Sequence, residues 1–580
     1  MNNIMRRYFS IFFLVVSIVS AGFAPTSSAK TASKALDITV NGLDSEMQDN
    51  VLAHIGKVKA KELKNQATLG KRLSKGVRAG LSAMGYFSPT LSWSAQDGNI
   101  VINVDAGKPT KVTASDIKLV GDGAEEDSLQ ALTKVDIWQT GAIFNSDTYD
   151  SAKSALMSAA RAQGYLTAVY SKREVIVDPN TYSARIALTF ETGPLFHFGK
   201  LTLGENRIDD PYLEAAADWP KQTVVSTGKL SEVQQNLLGT GYFSSVLLDQ
   251  ELDRDEALVD VNAEFAMKKK HIVTAGIGYG TDTGPRVKLR WIRPWLNSLG
   301  HSLQADAYVS AIGNSIGLRY KIPTLRGDGA YWEINSLYET KKVKDTDSKT
   351  FSTSAAFVSA LPWGWKGSAY LKYLTEEFTQ GKKEGKSQLL MPGVSATKKR
   401  SDDTMNPTHG YKYTVLLDAA SKAAASDANF FRLHTTARWL KSWGRSSVLT
   451  GLELGGFYFY ENTTLDDIPA SMRFFAGGDN SIRGYSYQSI SPRDENGDLS
   501  GGQYLLTTRL EYRYQFLEKW RASVFVDAGN AFGDQSEDLF YGPGIGVAWL
   551  SPVGPIRIDL GVAASDDNSI ELHIGLGPEL

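Results

Sequence analysis

Cysteine is absent from all 580 residues. That excludes disulfides, Cys-ligated zinc, iron–sulfur clusters and Cys nucleophiles. An excess of charge is missing too: 62 Lys and Arg stand against 64 Asp and Glu, a formal net charge of −2. A strongly basic nucleic-acid binder would look different. Histidine is scarce, with seven scattered along the chain at 54, 197, 271, 301, 409, 434 and 573 and no HExxH spacing. No Walker loop or nucleophile elbow occurs, and Gly542-Pro-Gly-Ile-Gly546 lies within a strand pattern with no helix behind it. An enzyme is therefore not expected, nor a cofactor or metal site. Acidic groups such as Glu125-Glu126-Asp127 read as solvated turns. Long hydrophobic runs are also lacking beyond the N-terminus. If the mature chain enters a membrane it does so as strands, because only helices and closed barrels satisfy their backbone in lipid. The mean hydropathy of −0.23 taken alone describes a soluble protein.

The first residues carry an export pattern. Arg6 and Arg7 precede the apolar core Ile11–Val19, and Ser27-Ser28-Ala29 supplies small residues before Lys30. This is the layout of a secretory signal over 1–29, with Ala24 as a second cutting point. The apolar core is too short for a spanning helix, which needs about 20 residues. Export into an oxidising compartment is compatible with a chain that has no thiol.

The first half repeats itself. Gly85-Tyr86-Phe87, Gly164-Tyr165-Leu166 and Gly241-Tyr242-Phe243 lie 79 and 77 residues apart. Each follows a helical stretch (73–84, 149–163, 230–239) and precedes two strand-like runs. Each unit opens with a short strand ending at Gly42, Gly121 or Gly204. The unit is β-α-α-β-β, and the glycine after the helix fits a left-handed C-cap. The domains expected are 30–110, 111–194 and 195–266. Such a module offers a sheet edge on which an extended peptide can pair.

From about His271 the period becomes two. Leu506, Thr508, Leu510, Tyr512, Tyr514 and Phe516 share one face, while Thr507, Arg509, Glu511, Arg513 and Gln515 share the other. Sixteen candidate strands follow, from 271–282 and 284–294 to 554–565 and 569–580. Links near 283 and 553 are short. Those at Lys341–Lys349, Lys382–Lys386 and Lys422–Asp427 are longer and polar, so short and long links are expected to alternate between the two rims. Residues 271–580 hold 26 of the 37 Trp and Tyr, as aromatic girdles would require. The fold class expected is α+β repeats followed by an all-β, 16-stranded antiparallel transmembrane barrel over 267–580.

One loop, 461–503, is out of scale for a connection without structure of its own. Its centre reads Met472-Arg-Phe-Phe-Ala-Gly-Gly-Asp-Asn-Ser-Ile-Arg-Gly-Tyr-Ser-Tyr487, too apolar for free solvation, so it is expected to fold into the barrel. Arg483 would then need an acidic partner. In Ser523–Asn530 the residues Val524, Val526 and Ala528 share the lipid-facing parity, which turns Phe525 and Asp527 inward. An Arg483–Asp527 pair could pin the loop to the wall through bidentate hydrogen bonds, and a solvated arginine at a loop tip is the open alternative.

Three repeats, sixteen strands, Ile482-Arg-Gly-Tyr485 and Phe525-Val-Asp-Ala-Gly529 together resemble the outer-membrane insertase superfamily, the BamA/TamA family. Three repeats and the closing Leu572–Leu580 are most similar to its translocation and assembly module branch. The resemblance implies that the repeats are POTRA domains in the periplasm and that the barrel lies in the outer membrane, in contact with its lipid. It implies a loop–lumen lock at Arg483, Gly484, Tyr485, Asp527 and Gly529. It also implies a lateral gate between first and last strands, at Gly276, Gly278, Gly575, Gly577 and Pro578, where glycine and proline weaken strand pairing. Assembly of autotransporters and other barrel proteins would follow, with unfolded outer-membrane clients and the inner-membrane-anchored partner TamB, docked through the first repeat. The alternative is a two-partner-secretion pore that exports an unfolded polypeptide through the lumen. Leu580 departs from the terminal aromatic usual in barrel proteins.

Overall fold

The computed structural model describes residues 36–96, 99–326, 329–533, 538–552 and 554–577. The expected leader 1–29 and Pro578 lie outside the described residues. Two compact units divide the chain after Phe196.

The first unit holds two repeats. In the first, β1 (Asp37–Asn41), α1 (Ser45–Ile55), α2 (Gln66–Ala83), β2 (Thr90–Gln96) and β3 (Asn99–Asp105) form a sheet in the order β1-β3-β2. β1 runs parallel to β3 and β2 antiparallel to it. The second repeats this with β4 (Lys111–Val120), α3 (Asp127–Leu132), α4 (Ser146–Ala162), β5 (Val169–Asp178) and β6 (Ser183–Glu191). The third opens the second unit with β7 (His197–Leu203), α5 (Asp210–Ala217), α6 (Thr227–Gly239), β8 (Phe243–Asp253) and β9 (Leu258–Met267).

The long helix of each repeat begins earlier than its apolar pattern does. Asn65, Asn145 and Ser226 are N-caps whose side chains accept from Thr68, Thr148 and Lys229 N–H. The first turn is thus set by a polar residue, which hydrophobic periodicity does not register. At the other end Gly85, Gly164 and Gly241 all have positive φ, 91°, 97° and 87°. The chain then turns so that Tyr86 N–H reaches the Leu81 carbonyl at 2.9 Å and Tyr165 N–H the Ala160 carbonyl at 3.0 Å. In the first repeat Val51, Ile55, Leu69, Leu73, Val77 and Leu81 bury against Ile100, Ile102 and Val104. The helices cross closely: a Cβ on Gly80 would stand 2.9 Å from the Val51 backbone.

The rest of the second unit is one 16-stranded sheet, every neighbouring pair antiparallel. Its strands are β10 (Ile272–Gly280), β11 (Gly284–Arg293), β12 (Ser302–Ser310), β13 (Gly313–Pro323), β14 (Tyr331–Val343), β15 (Thr346–Leu361), β16 (Trp365–Gln380) and β17 (Lys383–Ser401). They continue as β18 (Gly410–Ala420), β19 (Phe430–Trp443), β20 (Ser446–Phe459), β21 (Tyr504–Leu517), β22 (Trp520–Phe532), β23 (Phe540–Ser551), β24 (Gly554–Val562) and β25 (Ile570–Leu576). Parity divides them as the pattern requires. On β21 the outward Leu510, Tyr512 and Tyr514 are exposed, and the inward Thr507, Glu511 and Arg513 are buried.

The links differ from expectation. The β11–β12 link lies against the third repeat, where Tyr242 Oη donates to the Gly300 carbonyl at 2.8 Å and Trp295 joins the repeat's core. By alternation the loop after β20 is at the opposite rim. Tight links occur on both rims, at 281–283, 311–312, 344–345 and 381–382 on that one and at 444–445 and 518–519 on the repeat side, and so do longer ones, at 421–429 (where 422–427 was expected to be a loop) and at 294–301 and 402–409. Lys341, Lys342, Lys349, Lys383 and Lys386 sit in paired strand, since Val343 pairs with Thr346 and Gln380 with Lys383, while Lys344 and Lys382 fall in the turns between them. Long hairpins here extend their ladders through polar sequence, which composition reads as loop. The described part of the last strand runs from Ile570 to Leu576, and Gly577 after it takes φ +118°.

Replacing Gly80 by Val should push the two helices of the first repeat apart and destabilise it by about 1–3 kcal/mol. Limited proteolysis of the whole chain reads this as early cleavage within 36–105, and unchanged protection would contradict the close crossing.

Candidate functional site

The loop between β20 and β21 turns into the barrel. Its Met472, Phe474, Ala476, Ile482, Tyr485 and Ile490 join a buried cluster with Leu374, Leu389, Met391, Phe430 and Phe457 of the wall. Burial of so much apolar surface supplies the force that holds the loop inside. Below this plug sits Arg483, with none of its side chain exposed.

Arg483 meets three carboxylates. Its Nε and Nη2 donate to the two oxygens of Asp527 at 2.7 and 3.0 Å, and its backbone N–H reaches Asp527 at 3.1 Å. Nη1 donates to Glu511 at 2.8 Å and to Asp559 at 3.1 Å. The Phe525 ring lies beneath the guanidinium, 3.4 Å from its carbon. Arg513 donates to Glu511 at 2.7 Å, and Arg509 stands 3.6 Å from Asp527. Arginines 483, 509 and 513 thus face Glu511, Asp527 and Asp559, so no charge is buried alone. Burial pulls the Arg483 guanidinium downward, but the hydrogen bonds and charge of Asp527, then Glu511 and Asp559, outweigh it and hold the group above its ordinary value.

Glycines let the loop approach. A Cβ on Gly542 would lie 1.8 Å from the Arg483 carbonyl oxygen, and one on Gly561 would lie 2.4 Å from Gly484 N. Gly484 itself has φ +95° and its backbone passes over Val562. Gly529 abuts the Leu506 carbonyl, where a Cβ would come within 2.1 Å. Gly542 and Gly561 therefore have a packing role: they leave a furrow on the inner wall for the loop tip, while Gly544 and Gly546 make room for Phe525 and Asp559 of the wall. Tyr485 packs edge-on against Phe540, and its hydroxyl accepts from Ser565 N–H at 3.1 Å.

The tip also reaches both ends of the sheet. Gly484 N–H donates to His573 Nε2 on β25 at 2.9 Å, and Ser486 Oγ donates to Glu571. Asp479 accepts from His573 Nδ1 at 2.7 Å and from Thr281 Oγ1, just beyond β10, at 2.8 Å. Asp282 accepts from Asp479 N–H at 2.9 Å. Burial, then the neighbouring Asp479 charge, pushes the Asp282 carboxyl up, while hydrogen bonds from His573 and Thr281 outweigh burial and hold Asp479 low. Ligand atoms of Asp282, Asp479 and His573 lie within 4.8 Å of one another. Because Gly484 donates to His573 Nε2, the ring proton is on Nδ1 and faces Asp479, so this pair is a hydrogen bond and not two open metal ligands.

β10 and β25 face each other without a ladder. Among the described residues, one backbone hydrogen bond joins them, Thr281 N–H to the Ile574 carbonyl at 3.3 Å, and Ile574 N–H donates to Thr281 Oγ1 at 3.1 Å. In that register Gly575 stands opposite Gly280. Gly276 is four residues along and Gly278 two, so Gly276 and Gly575 do not face each other: four residues of strand span about 13 Å. Gly276 and Gly278 pair instead with Lys288 and Arg286 of β11, and Gly577 N–H turns to the Pro555 carbonyl of β24.

Glu511, Asp559, Glu571 and His573 were not among the site residues read from sequence. Strand parity would have turned all four inward. Asp479 carried no signal.

The model described as the Omp85 superfamily domain matches residues 268–579, and the model described as the POTRA domain, TamA domain 1, matches residues 37–106. The outer membrane protein assembly factor BamA of Nitratidesulfovibrio vulgaris is 26% identical over 365 residues, which cover 60% of this chain and 46% of that protein. That of Neisseria meningitidis serogroup B is 21% identical over 465 residues, 67% of this chain and 58% of that one. The chain thus spans about half the length of these curated relatives. The solved structure of BamA from Haemophilus ducreyi lacking POTRA domains 1–3 shares the fold, with a TM-score of 0.65 at 17% identity, over 80% of this chain and 99% of that one.

Asp527→Ala removes the bidentate partner of a buried cation and should cost the barrel roughly 3–5 kcal/mol. The urea midpoint of the heat-modifiable folded form measures it. Gly542→Ala should release the loop tip with all the charges intact, seen as new protease sensitivity within 472–487.

Proposed function

The chain belongs to the Omp85 superfamily, whose barrels are outer-membrane proteins, and from that premise we propose that it assembles other outer-membrane proteins. In this reading client strands, among them those of autotransporters, pair at a lateral gate between β10 and β25. The single observation that supports it best is the seam: among the described residues, fifteen neighbouring pairs carry ladders and this one does not. Its exposed backbone groups can template an incoming strand, the pairing that closed sheets avoid.

The repeats lie in the periplasm in this proposal, and the third packs against the barrel rim on that side. The match of the first repeat to a TamA POTRA model supports docking of the inner-membrane-anchored partner TamB there. Export of an unfolded polypeptide through the lumen fits less well, because the loop packs its apolar residues against the wall inside the barrel. No enzymatic step is needed: Arg483 and its carboxylates act as a fixed lock, and client folding supplies the free energy.

Depleting the protein and taking a census of surface proteins tests the function; undiminished autotransporters and barrel proteins would refute it. A disulfide between Gly280→Cys and Gly575→Cys should block client maturation while the barrel stays folded, and reduction should restore it. Arg483→Glu places a fourth carboxylate in the lock and should impair assembly at least tenfold, measured as mature client per cell.

A further inference from the structure

Among the described residues the seam is pinned at one end, and the pin runs through the loop. Thr281 lies at the end of β10, His573 and Ile574 lie on β25, and Asp479 lies on the loop. The Thr281 hydroxyl receives Ile574 N–H at 3.1 Å and donates to Asp479 Oδ1 at 2.8 Å. The same carboxylate oxygen receives His573 Nδ1–H at 2.7 Å. His573 is held in turn by Gly484 N–H, one residue from Arg483. Asp479 is fixed from behind by its own N–H to Asp282 and by Arg509, which donates to its carbonyl oxygen.

We propose that Asp479 is a positioning residue, a clasp that ties the two seam strands together through the loop, so that the seam opens only when the loop tip withdraws. This rests on the gate described above for its biological use, though the coupling itself is a property of the barrel. The chemistry follows from the bonds. A carboxylate that accepts from both strands makes a charge-assisted bridge across a gap where the backbone makes one bond. The side of the seam away from the loop has no equivalent among the described residues. Withdrawal of the loop removes Asp479 and Gly484 together, and β25 then loses both contacts to His573 at once. The lock at Arg483 and the closure of the seam are therefore set by the same segment, residues 478–486.

The test uses the full chain in lipid nanodiscs, spin-labelled at Ile277→Cys and Leu572→Cys, both on the exposed outer face. Unsubstituted loop and seam residues should give one narrow distance between β10 and β25. Asp479→Ala and Thr281→Val should each raise the long-distance population by about tenfold, in keeping with loss of a hydrogen bond to a charged group. Asp479→Asn keeps an acceptor oxygen and should restore most of the narrow distance. A wild-type distribution in Asp479→Ala would overturn the clasp. Because a misfolded barrel would also broaden the distance, heat-modifiable migration is read on the same samples, and an Asp479→Ala seam that opens only in unfolded material overturns it as well. Client maturation is scored separately: an opened seam with normal client assembly would leave the clasp standing and remove the gate.

Discussion

A buried guanidinium cannot be left alone, and much of the inner wall is arranged around that constraint. Arg483 is fully enclosed, so it requires carboxylates within hydrogen-bond reach from several directions. Asp527, Glu511 and Asp559 supply them from β22, β21 and β24, three neighbouring parts of the wall. For the loop to bring Arg483 that deep, its backbone must touch the strands beyond. Gly542 and Gly561 remove the side chains that would stand in the way. The ion cluster, the glycine furrow and the apolar plug are three consequences of one placement.

The division of labour between these forces is clear from their magnitudes. Apolar burial of the loop is non-directional and holds it in the lumen at about 25 cal/mol per Å². The ion cluster adds little net stability over a well-packed apolar equivalent, because desolvation offsets its attraction. What it adds is register: a bidentate fork fits in one orientation. A plug held by burial alone could slide along the wall; one held by Arg483 cannot. The segment 478–486 therefore reaches Thr281 and His573 with the same geometry each time.

Much of this was legible in the residues. Three Gly-Tyr pairs in phase marked the repeats because a left-handed C-cap and an aromatic packed against the core recur at the same place in each fold unit. Period two marked the barrel, and parity turned Asp527 inward. The links misled because lysine in the paired end of a long hairpin resembles loop. Glu511, Asp559 and His573 had the right parity, yet many inward residues share it, and parity cannot choose among them. Asp479 was invisible: its partners lie 198 and 94 residues away, and no local pattern encodes such pairs. Even the negative mean hydropathy finds its cause, since half of each barrel strand faces a polar lumen that averages with water-facing repeats.

The seam gives these local forces a larger consequence. Each backbone hydrogen bond in a ladder contributes on the order of 0.5–1.5 kcal/mol in water, and leaving its groups unpaired in lipid costs several times that. A barrel fully laddered between β10 and β25 would hold itself shut whatever its loop did. Here, among the described residues, one backbone bond remains, so the ladder term has nearly vanished at this junction and side-chain contacts dominate it. Those contacts are made by Thr281, Asp479 and His573, at a site where the loop contributes the central acceptor. Control of the junction thus passes from the strands, which are fixed by their other neighbours, to a segment that burial and one arginine hold in place. A structural change confined to about ten loop residues is then sufficient to alter this weak joint in a sixteen-stranded sheet.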